Sequence, residues 1–174
     1  TFKLIIEQNK QLIKIKLQGM GEPLVNKNLF EMVDYAKNFG IGTEIITNGS
    51  MLTEKNILKL LSSKLSKITI SIDGATKEVF EKIRIKSNFN NVVNNAIQFK
   101  KLIRNKNLRP EFSAWCTLQN DNFFEAEEII KLCKKIGFDD LTFQLYLTGW
   151  GKDEWNEINS HKQIDISEDE NKNK

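Results

Sequence analysis

The segment KITISIDGATKEVFEKIR, residues 67–84, carries in one run the pattern that decides the fold. Its first half places Ile68, Ile70 and Ile72 at every second position, with polar residues between them. A period of two predicts a strand with one apolar face and one polar face. A glycine turn follows, and residues 76–84 then have the apolar spacing of a helix. The segment therefore predicts a strand–turn–helix unit in which the two faces of the strand differ.

Similar units recur along the chain. Further strands are predicted at residues 13–19, 42–49, 111–118 and 141–147, and helices at 28–40, 53–63, 76–84, 89–105 and 123–137. Each strand is separated from the next by a helix-length segment. This alternation predicts an α/β fold with a parallel sheet and right-handed crossovers.

One face of the predicted strands is polar, which is not typical of a parallel sheet covered by helices on both sides. The side chains on this face are Lys14, Lys16, Gln18, Thr69, Ser71, Asp73, Ser113, Trp115, Thr117, Thr142, Gln144 and Tyr146. Burying one unpaired polar group costs about 1–3 kcal/mol. About ten of them would rival the stability of a whole domain, about 5–15 kcal/mol. We therefore expect a curved sheet with helices outside and a hydrated or ligand-filled inside. The alternative is a flat sheet whose polar face is open to solvent or covered by another domain.

Composition and charge narrow the function classes. The chain has 174 residues, and its 26 basic and 23 acidic side chains give a net charge of +3 without a concentrated basic patch. This balance does not argue for nucleic acid, and no apolar run is long enough to cross a membrane. Cys116 and Cys133, seventeen residues apart in apolar surroundings, predict two reduced, buried thiols in a cytoplasmic protein. Residues 151–174 are polar and are expected to be a disordered tail.

Three of the predicted strands end in glycine-containing turns: QGMGEP at 18–23, TNGS at 47–50 and SIDGAT at 71–76. The carboxyl ends of parallel strands meet at one edge of a sheet, where α/β folds bind ligands. Glu22 suits a cationic amine, and Ser71 and Asp73 suit hydroxyl or ammonium groups. Each turn alone is also typical of an ordinary strand–helix connection, but three on adjacent strands favour a binding site.

GMGEPLVNKNLFEMVDYAKNFGIGTEIITNGSMLTE, followed by ITISIDGATKEVFEKIR, resembles the radical S-adenosylmethionine (radical SAM) superfamily. It is most similar to the branch that often carries a C-terminal SPASM or Twitch extension, and the resemblance covers residues 1–147. It implies a partial (β/α)6 TIM-like barrel of parallel strands over residues 1–150, and binding of S-adenosylmethionine. The cofactor-binding positions that it implies are Gly19, Met20, Gly21, Glu22, Pro23, Thr47, Asn48, Gly49, Ser71, Asp73 and Arg84.

The resemblance also implies individual roles. The turn that contains Glu22 matches the GGEP-type turn that receives the α-amino group of S-adenosylmethionine, with Met20 where glycine often stands. Ser71 and Asp73 match the position that contacts ribose or methionine, and Arg84 matches a partner for the methionine carboxylate. In the family, a [4Fe–4S] cluster and a reductant such as a flavodoxin or ferredoxin generate a 5′-deoxyadenosyl radical, which abstracts hydrogen from the substrate. The substrate class implied for this branch is a peptide or a small molecule.

The chain departs from the family at the cluster. It lacks the CxxxCxxC loop that holds the iron, and the first barrel strand, because residues 1–8 already have the pattern of the first helix. We therefore expect a barrel fragment that starts downstream of that loop, with cluster ligands outside these residues and no radical chemistry of its own. Two alternatives are a non-catalytic remnant and an RNA-binding or RNA-modifying domain. GMGEPL also occurs in radical methyltransferases that act on RNA, but the other two motifs follow the first branch.

The aromatic residues and the histidine give weaker signals. Trp115 and Tyr146 are candidates for the wall of the pocket, and Trp150 and Trp155 either line it or contact a further domain. His161 is the only histidine, and its place in the polar tail does not favour a catalytic or metal-binding role.

Overall fold

The computed structural model describes residues 1–106, 110–149 and 151–164, in which helices and parallel strands alternate. The elements in chain order are α1 (Phe2–Gln8), β1 (Lys14–Leu17), α2 (Leu29–Asn38), β2 (Gly42–Thr47), α3 (Glu54–Ser62), β3 (Lys67–Ser71), α4 (Lys77–Ile83), α5 (Phe89–Asn105), β4 (Glu111–Thr117), α6 (Ala126–Ile136), β5 (Asp140–Gln144) and α7 (Asp153–Lys162). Short 3-10 turns lie at Pro23–Val25 and Phe123–Glu125.

The five strands form one parallel sheet in the order β1-β2-β3-β4-β5. Consecutive strands are neighbours, so each crossover helix returns the chain to the adjacent position. Among the described residues β1 and β5 form the two edges, which leaves an open, partial barrel. The predicted α/β fold with parallel strands is confirmed.

The apolar face of the sheet packs against the helices and forms the core. Ile45, Ile68 and Ile70 lie side by side on this face and are fully buried. Helix residues cover them, and Phe99 of α5 stacks on Phe112 of β4 with ring centroids 5.0 Å apart. Burial of this apolar surface is the main stabilising contribution to the sheet–helix layer, at roughly 25 cal/mol per Å².

The polar face divides into two halves. In the half near the amino ends of the strands, Lys67 lies 3.2 Å from Glu111 and 3.8 Å from Asp140. Closer to the carboxyl end of β1, Lys16 lies 3.4 Å from Glu44 and also lines the cavity at that end of the sheet. Burial alone would lower the pKa of Lys67, but the hydrogen bond to Glu111 and the surrounding carboxylates outweigh it and raise that pKa. Lys67 therefore has its counter-charges within the sheet.

Part of the expected disordered tail is helical. Helix α7 occupies Asp153–Lys162, so the expectation of disorder is wrong for these residues. Two hydrogen bonds from Asn120 hold the end of the helix. Its backbone N–H donates to the carbonyl of Lys162 at 2.8 Å, and its side-chain Nδ2 donates to the carbonyl of His161 at 3.2 Å. Residues 165–174 and Trp150 lie outside the described residues. Across the described ranges, none of the helices combines the length and the apolar character needed to cross a lipid bilayer.

Candidate functional site

A cavity of about 570 Å³ lies on the polar face, at the carboxyl ends of the strands. Two other cavities, of about 390 and 310 Å³, are smaller. Eight of the eleven residues predicted for the site line its wall: Gly19, Met20, Gly21, Glu22, Thr47, Asn48, Ser71 and Arg84. The structure therefore brings the three strand-end turns together around one space.

The other three predicted residues do not line this cavity. Pro23 begins the 3-10 turn behind Glu22. Gly49 has a φ of +76°, and a Cβ there would stand 2.9 Å from Val92 Cγ1, so this position faces the core. Asp73 is only 3% exposed, and its carboxylate is occupied by other protein groups.

Glu22 joins the ends of two strands. Its Oε1 accepts a hydrogen bond from Thr47 Oγ1 at 2.7 Å and one from the Leu24 backbone N–H at 3.2 Å. Its Oε2 accepts one from the Asn48 backbone N–H at 2.8 Å. An ionised carboxylate has about four acceptor sites, so these three donors leave room for one more. Because the side chain also lines the cavity, that site suits a cationic donor from a ligand.

Arg84 carries a positive charge to the same cavity. It follows α4 directly, and its side chain is 27% exposed. The guanidinium Nε lies 2.6 Å and Nη2 2.5 Å from Asp73 Oδ2. Asp73 Oδ1 accepts a further hydrogen bond from the Thr117 backbone N–H at 2.8 Å. A seven-residue helix thus returns the chain from the end of β3 to a point beside it.

Two residues that support the site were not predicted from the sequence. Asn122 is fully buried, and its Nδ2 donates to the backbone carbonyls of Asp73 and Thr117, both at 3.0 Å. Glu125 accepts hydrogen bonds from the Ala75 backbone N–H at 2.7 Å and from Thr76 Oγ1 at 2.6 Å. The one hint in the sequence is a polar group at residues 119–122 directly after an apolar strand, which is typical of many loops.

The aromatic residues predicted for the pocket lie in different parts of the structure. Trp115 lines the cavity together with Thr117 and Gln144. Tyr146 is 70% exposed and does not line this cavity. Trp155 lies on α7, where the Lys152 ammonium stands 4.8 Å from its ring centroid.

The two cysteines are free and buried, as predicted. Burial raises the pKa of the Cys133 thiol to about 12 and raises the pKa of Cys116 further still. Neither thiol lines the cavity, and the described ranges contain no cluster of three or more histidine, cysteine, aspartate or glutamate side chains that could hold a metal ion.

Comparison with protein-family models identifies a related family. The model of the radical SAM superfamily matches residues 2–110. The mycofactocin maturase MftC of Mycolicibacterium smegmatis is 30% identical over 140 residues, which are 80% of this chain and 34% of the relative. The AdoMet-dependent heme synthase of Oleidesulfovibrio alaskensis is 27% identical over 118 residues, which are 67% of this chain and 29% of the relative. The chain therefore spans about a third of the length of these curated relatives.

Solved structures show the same fold. Streptococcus suis SuiB bound to S-adenosylmethionine superimposes with a TM-score of 0.68 at 15% identity, over 90% of this chain and 37% of SuiB. SuiB bound to its precursor peptide SuiA gives a TM-score of 0.66 at 14% identity, over 82% of this chain and 31% of SuiB. At this level of identity the likeness concerns the architecture alone.

Proposed function

We propose that this chain, which belongs to the radical SAM superfamily and to its SPASM/Twitch-like branch, is the S-adenosylmethionine-binding part of an enzyme that abstracts a hydrogen atom from its substrate. The observation that carries the proposal is the pair of opposite charges on one cavity, with Glu22 and Arg84 both in its wall. The methionine part of S-adenosylmethionine is a zwitterion, with an ammonium and a carboxylate on the same carbon.

The residues present fit this ligand at both charges. Glu22 has an acceptor site left for the α-ammonium, and Thr47 and Asn48 hold its carboxylate in place. Arg84 offers its guanidinium to the α-carboxylate. Charged hydrogen bonds of this kind contribute about 1.5–3 kcal/mol each.

The bare backbone of the first turn supports the same assignment. A Cβ added at Gly19 or Gly21 would have no protein atom within 4 Å. Both glycines line the cavity, so the space beside them is open to a ligand, and a ligand can approach the backbone closely. Ser71, from the end of β3, offers a hydroxyl that suits a ribose.

The residues present do not fit a [4Fe–4S] cluster, which the family implies together with S-adenosylmethionine. Thiolates hold such a cluster, and the only two cysteines of these 174 residues, Cys116 and Cys133, are buried away from the cavity. We infer that the cluster ligands come from outside these residues. What this chain does is bind the cofactor, orient it and shield one side of it from water.

For the substrate we propose a peptide or a small molecule. MftC is named a maturase, and SuiB has been solved with a precursor peptide, which favours a peptide. The third relative is named a heme synthase, which favours a small molecule. A flavodoxin or ferredoxin is the proposed reductant. Two buried, unpaired cysteines fit a reducing compartment, which supports a cytoplasmic location.

Equilibrium dialysis of the 174-residue chain with radiolabelled S-adenosylmethionine tests the proposal. We expect saturable binding, and we expect Glu22→Gln to weaken it by about 10- to 100-fold, the size of one charged hydrogen bond. The matched control is Glu127→Gln on α6, whose carboxylate lies outside the cavity and pairs with Lys131 at 2.7 Å. The control should bind as the unaltered chain does. Absence of saturable binding, or equal loss in both variants, would remove the support for this function.

Activity is tested separately on the complete gene product. After anaerobic expression and reduction, it should convert S-adenosylmethionine to 5′-deoxyadenosine. A product that binds S-adenosylmethionine but forms none would favour the non-catalytic alternative.

A further inference from the structure

We propose that Asp73 is a positioning residue that acts on the cofactor only through Arg84, and that Asn122 fixes this pair. The inference rests on the proposed function, because it concerns how the same site recognises the methionine carboxylate. It differs from the direct contact to ribose or methionine that the family resemblance implies for Asp73.

The carboxylate of Asp73 is bonded to protein groups and buried away from the cavity. Its Oδ2 takes both Nε and Nη2 of Arg84, and its Oδ1 takes the Thr117 backbone N–H. The side chain is nearly inaccessible, and it does not line the cavity. In contrast, Arg84 lines the cavity and keeps about a quarter of its side-chain surface accessible.

The pairing leaves one edge of the guanidinium for a ligand. Among the described residues, the side-chain hydrogen bonds of Arg84 all go to Asp73 through Nε and Nη2. The Nη1 edge therefore stays available. Because the guanidinium is planar, fixing Nε and Nη2 also fixes the direction in which Nη1 points.

Asn122 holds the backbone on both sides of this pair. One amide group donates to the carbonyl of Asp73 and to the carbonyl of Thr117, while its Oδ1 accepts from the Gln119 backbone N–H at 2.8 Å. It therefore locks the end of β3 to the end of β4. Thr117, whose backbone N–H binds the Asp73 carboxylate, cannot move away from Asp73 without breaking these bonds.

The consequence is a specific form of ligand selectivity. If Asp73 acts through Arg84, its loss should weaken only the recognition of the methionine carboxylate. If Asp73 touched the ribose or the ammonium, its loss should weaken any ligand that carries those groups. An analogue that lacks the carboxylate separates the two cases.

The experiment compares S-adenosylmethionine with decarboxylated S-adenosylmethionine on the 174-residue chain. We expect the unaltered chain to prefer S-adenosylmethionine by about tenfold or more, the size of one charged hydrogen bond. In Asp73→Asn and in Arg84→Ala this preference should fall to near one, while the affinity for the analogue changes less than about twofold. The double variant should show no further loss, because both changes remove one interaction.

The sign of the change excludes a simple charge effect. The analogue carries two positive charges and S-adenosylmethionine carries one net positive charge. Removing the negative charge of Asp73 would therefore weaken the analogue more and would increase the preference for S-adenosylmethionine. A decrease in the preference is expected only if the guanidinium loses its position.

Several results would overturn the inference. They are equal loss of both ligands in Asp73→Asn, an additive loss in the double variant, or a preference that survives in Asp73→Asn. Failure of the unaltered chain to bind either ligand would instead count against the proposed function. If Asp73→Asn does not fold, nuclear magnetic resonance gives a second measurement on the unaltered chain. The Nε–H resonance of Arg84 is observed, and it is identified by its absence in Arg84→Lys. It should exchange slowly with water and keep its position when the cofactor binds, and a large shift would contradict the inference.

Discussion

The substitution Gly74→Ala tests how closely the turn after β3 packs against helix α4. A Cβ at Gly74 would stand 2.6 Å from the backbone N of Phe80 and 2.9 Å from its Cα. These are backbone atoms of the helix, so no flexible side chain can move aside. Phe80 is fully buried, and its ring lies 5.5 Å from that of Phe89, which transmits the displacement to the core.

The expected cost follows from this contact. Inserting a methyl group into a packed site typically costs about 1–3 kcal/mol. For a chain of this length, each kcal/mol lowers the melting temperature by about 2–4 °C. We therefore expect Gly74→Ala to lower the melting temperature by roughly 2–12 °C. Because α4 leads directly into Arg84, the variant should also bind S-adenosylmethionine more weakly at a temperature where it is still folded.

Thermal and urea denaturation, both followed by circular dichroism, measure the melting temperature and the free energy of unfolding against a matched control. Gly21→Ala adds the same methyl group where no protein atom lies within 4 Å, and Gly21 has no positive φ that would strain alanine. Its free energy of unfolding should stay within about 0.5 kcal/mol of the unaltered chain. The reasoning fails if Gly74→Ala is as stable as the control, or if Gly21→Ala is destabilised by the same amount.

Two further predictions concern ionisable groups outside the cavity. Burial alone would raise the pKa of Asp139, but its hydrogen bonds from the Lys100 ammonium and from the Phe112 backbone N–H outweigh burial and lower it. A lowered pKa contributes stability above the ordinary aspartate pKa of about 4, and this contribution is lost as the pH falls through the folded-state pKa. Asp139→Asn should therefore lower the free energy of unfolding at pH 7, measured by urea denaturation, by about 0.5–1 kcal/mol, a small value because the side chain is about half exposed. The difference from the unaltered chain should vanish in acid. A difference that persists in acid would contradict this cause. Cys116 and Cys133 should resist iodoacetamide at pH 8 in the folded chain and react after denaturation, because burial raises the pKa of both thiols. Mass spectrometry measures the labelling. Rapid labelling of the folded chain would disprove their burial.

The order of the elements could be predicted because the sequence changes period cleanly at glycine-containing turns. Ile68, Ile70 and Ile72 alternate with polar residues, and Thr76 then begins a helix as its N-cap. The polar face followed from the same alternation. What the alternation does not encode is which charges meet across strands, since that depends on register. The pairing of Lys67 with Glu111 and Asp140 therefore appears only in the structure.

Long-range contacts also explain where the prediction of the site was incomplete. Asp73 shares the polar face of β3 with Ser71 by sequence spacing, but the return of α4 brings Arg84 back onto its carboxylate. Asn122 and Glu125 lie about fifty residues from the turn that they hold, so no local pattern marks them. The helical part of the tail was missed because hydrogen bonds to Asn120, rather than an apolar face, secure it.

Contacts between strands β2 and β3 set the distance between the two charged groups of the cavity, the Glu22 carboxylate and the Arg84 guanidinium. Glu22 is braced to the end of β2 through Thr47 and Asn48, and Asp73 braces Arg84 to the end of β4. Between these two braced units lies the parallel register of β2 and β3, in which Thr47 is opposite Ile70.

Gly49 lies where these strands meet the helical layer. A Cβ there would stand 3.1 Å from Ile70 Cγ2, and its carbonyl accepts a hydrogen bond from Asn95 Nδ2 of α5 at 2.9 Å. We expect a residue larger than glycine to crowd Val92 of α5 and Ile70 of β3. We therefore expect Gly49, although it faces the core, to help fix the distance between the Glu22 carboxylate and the Arg84 guanidinium that a zwitterionic ligand must span. A site that recognises two charges on one carbon needs that distance fixed before the ligand arrives.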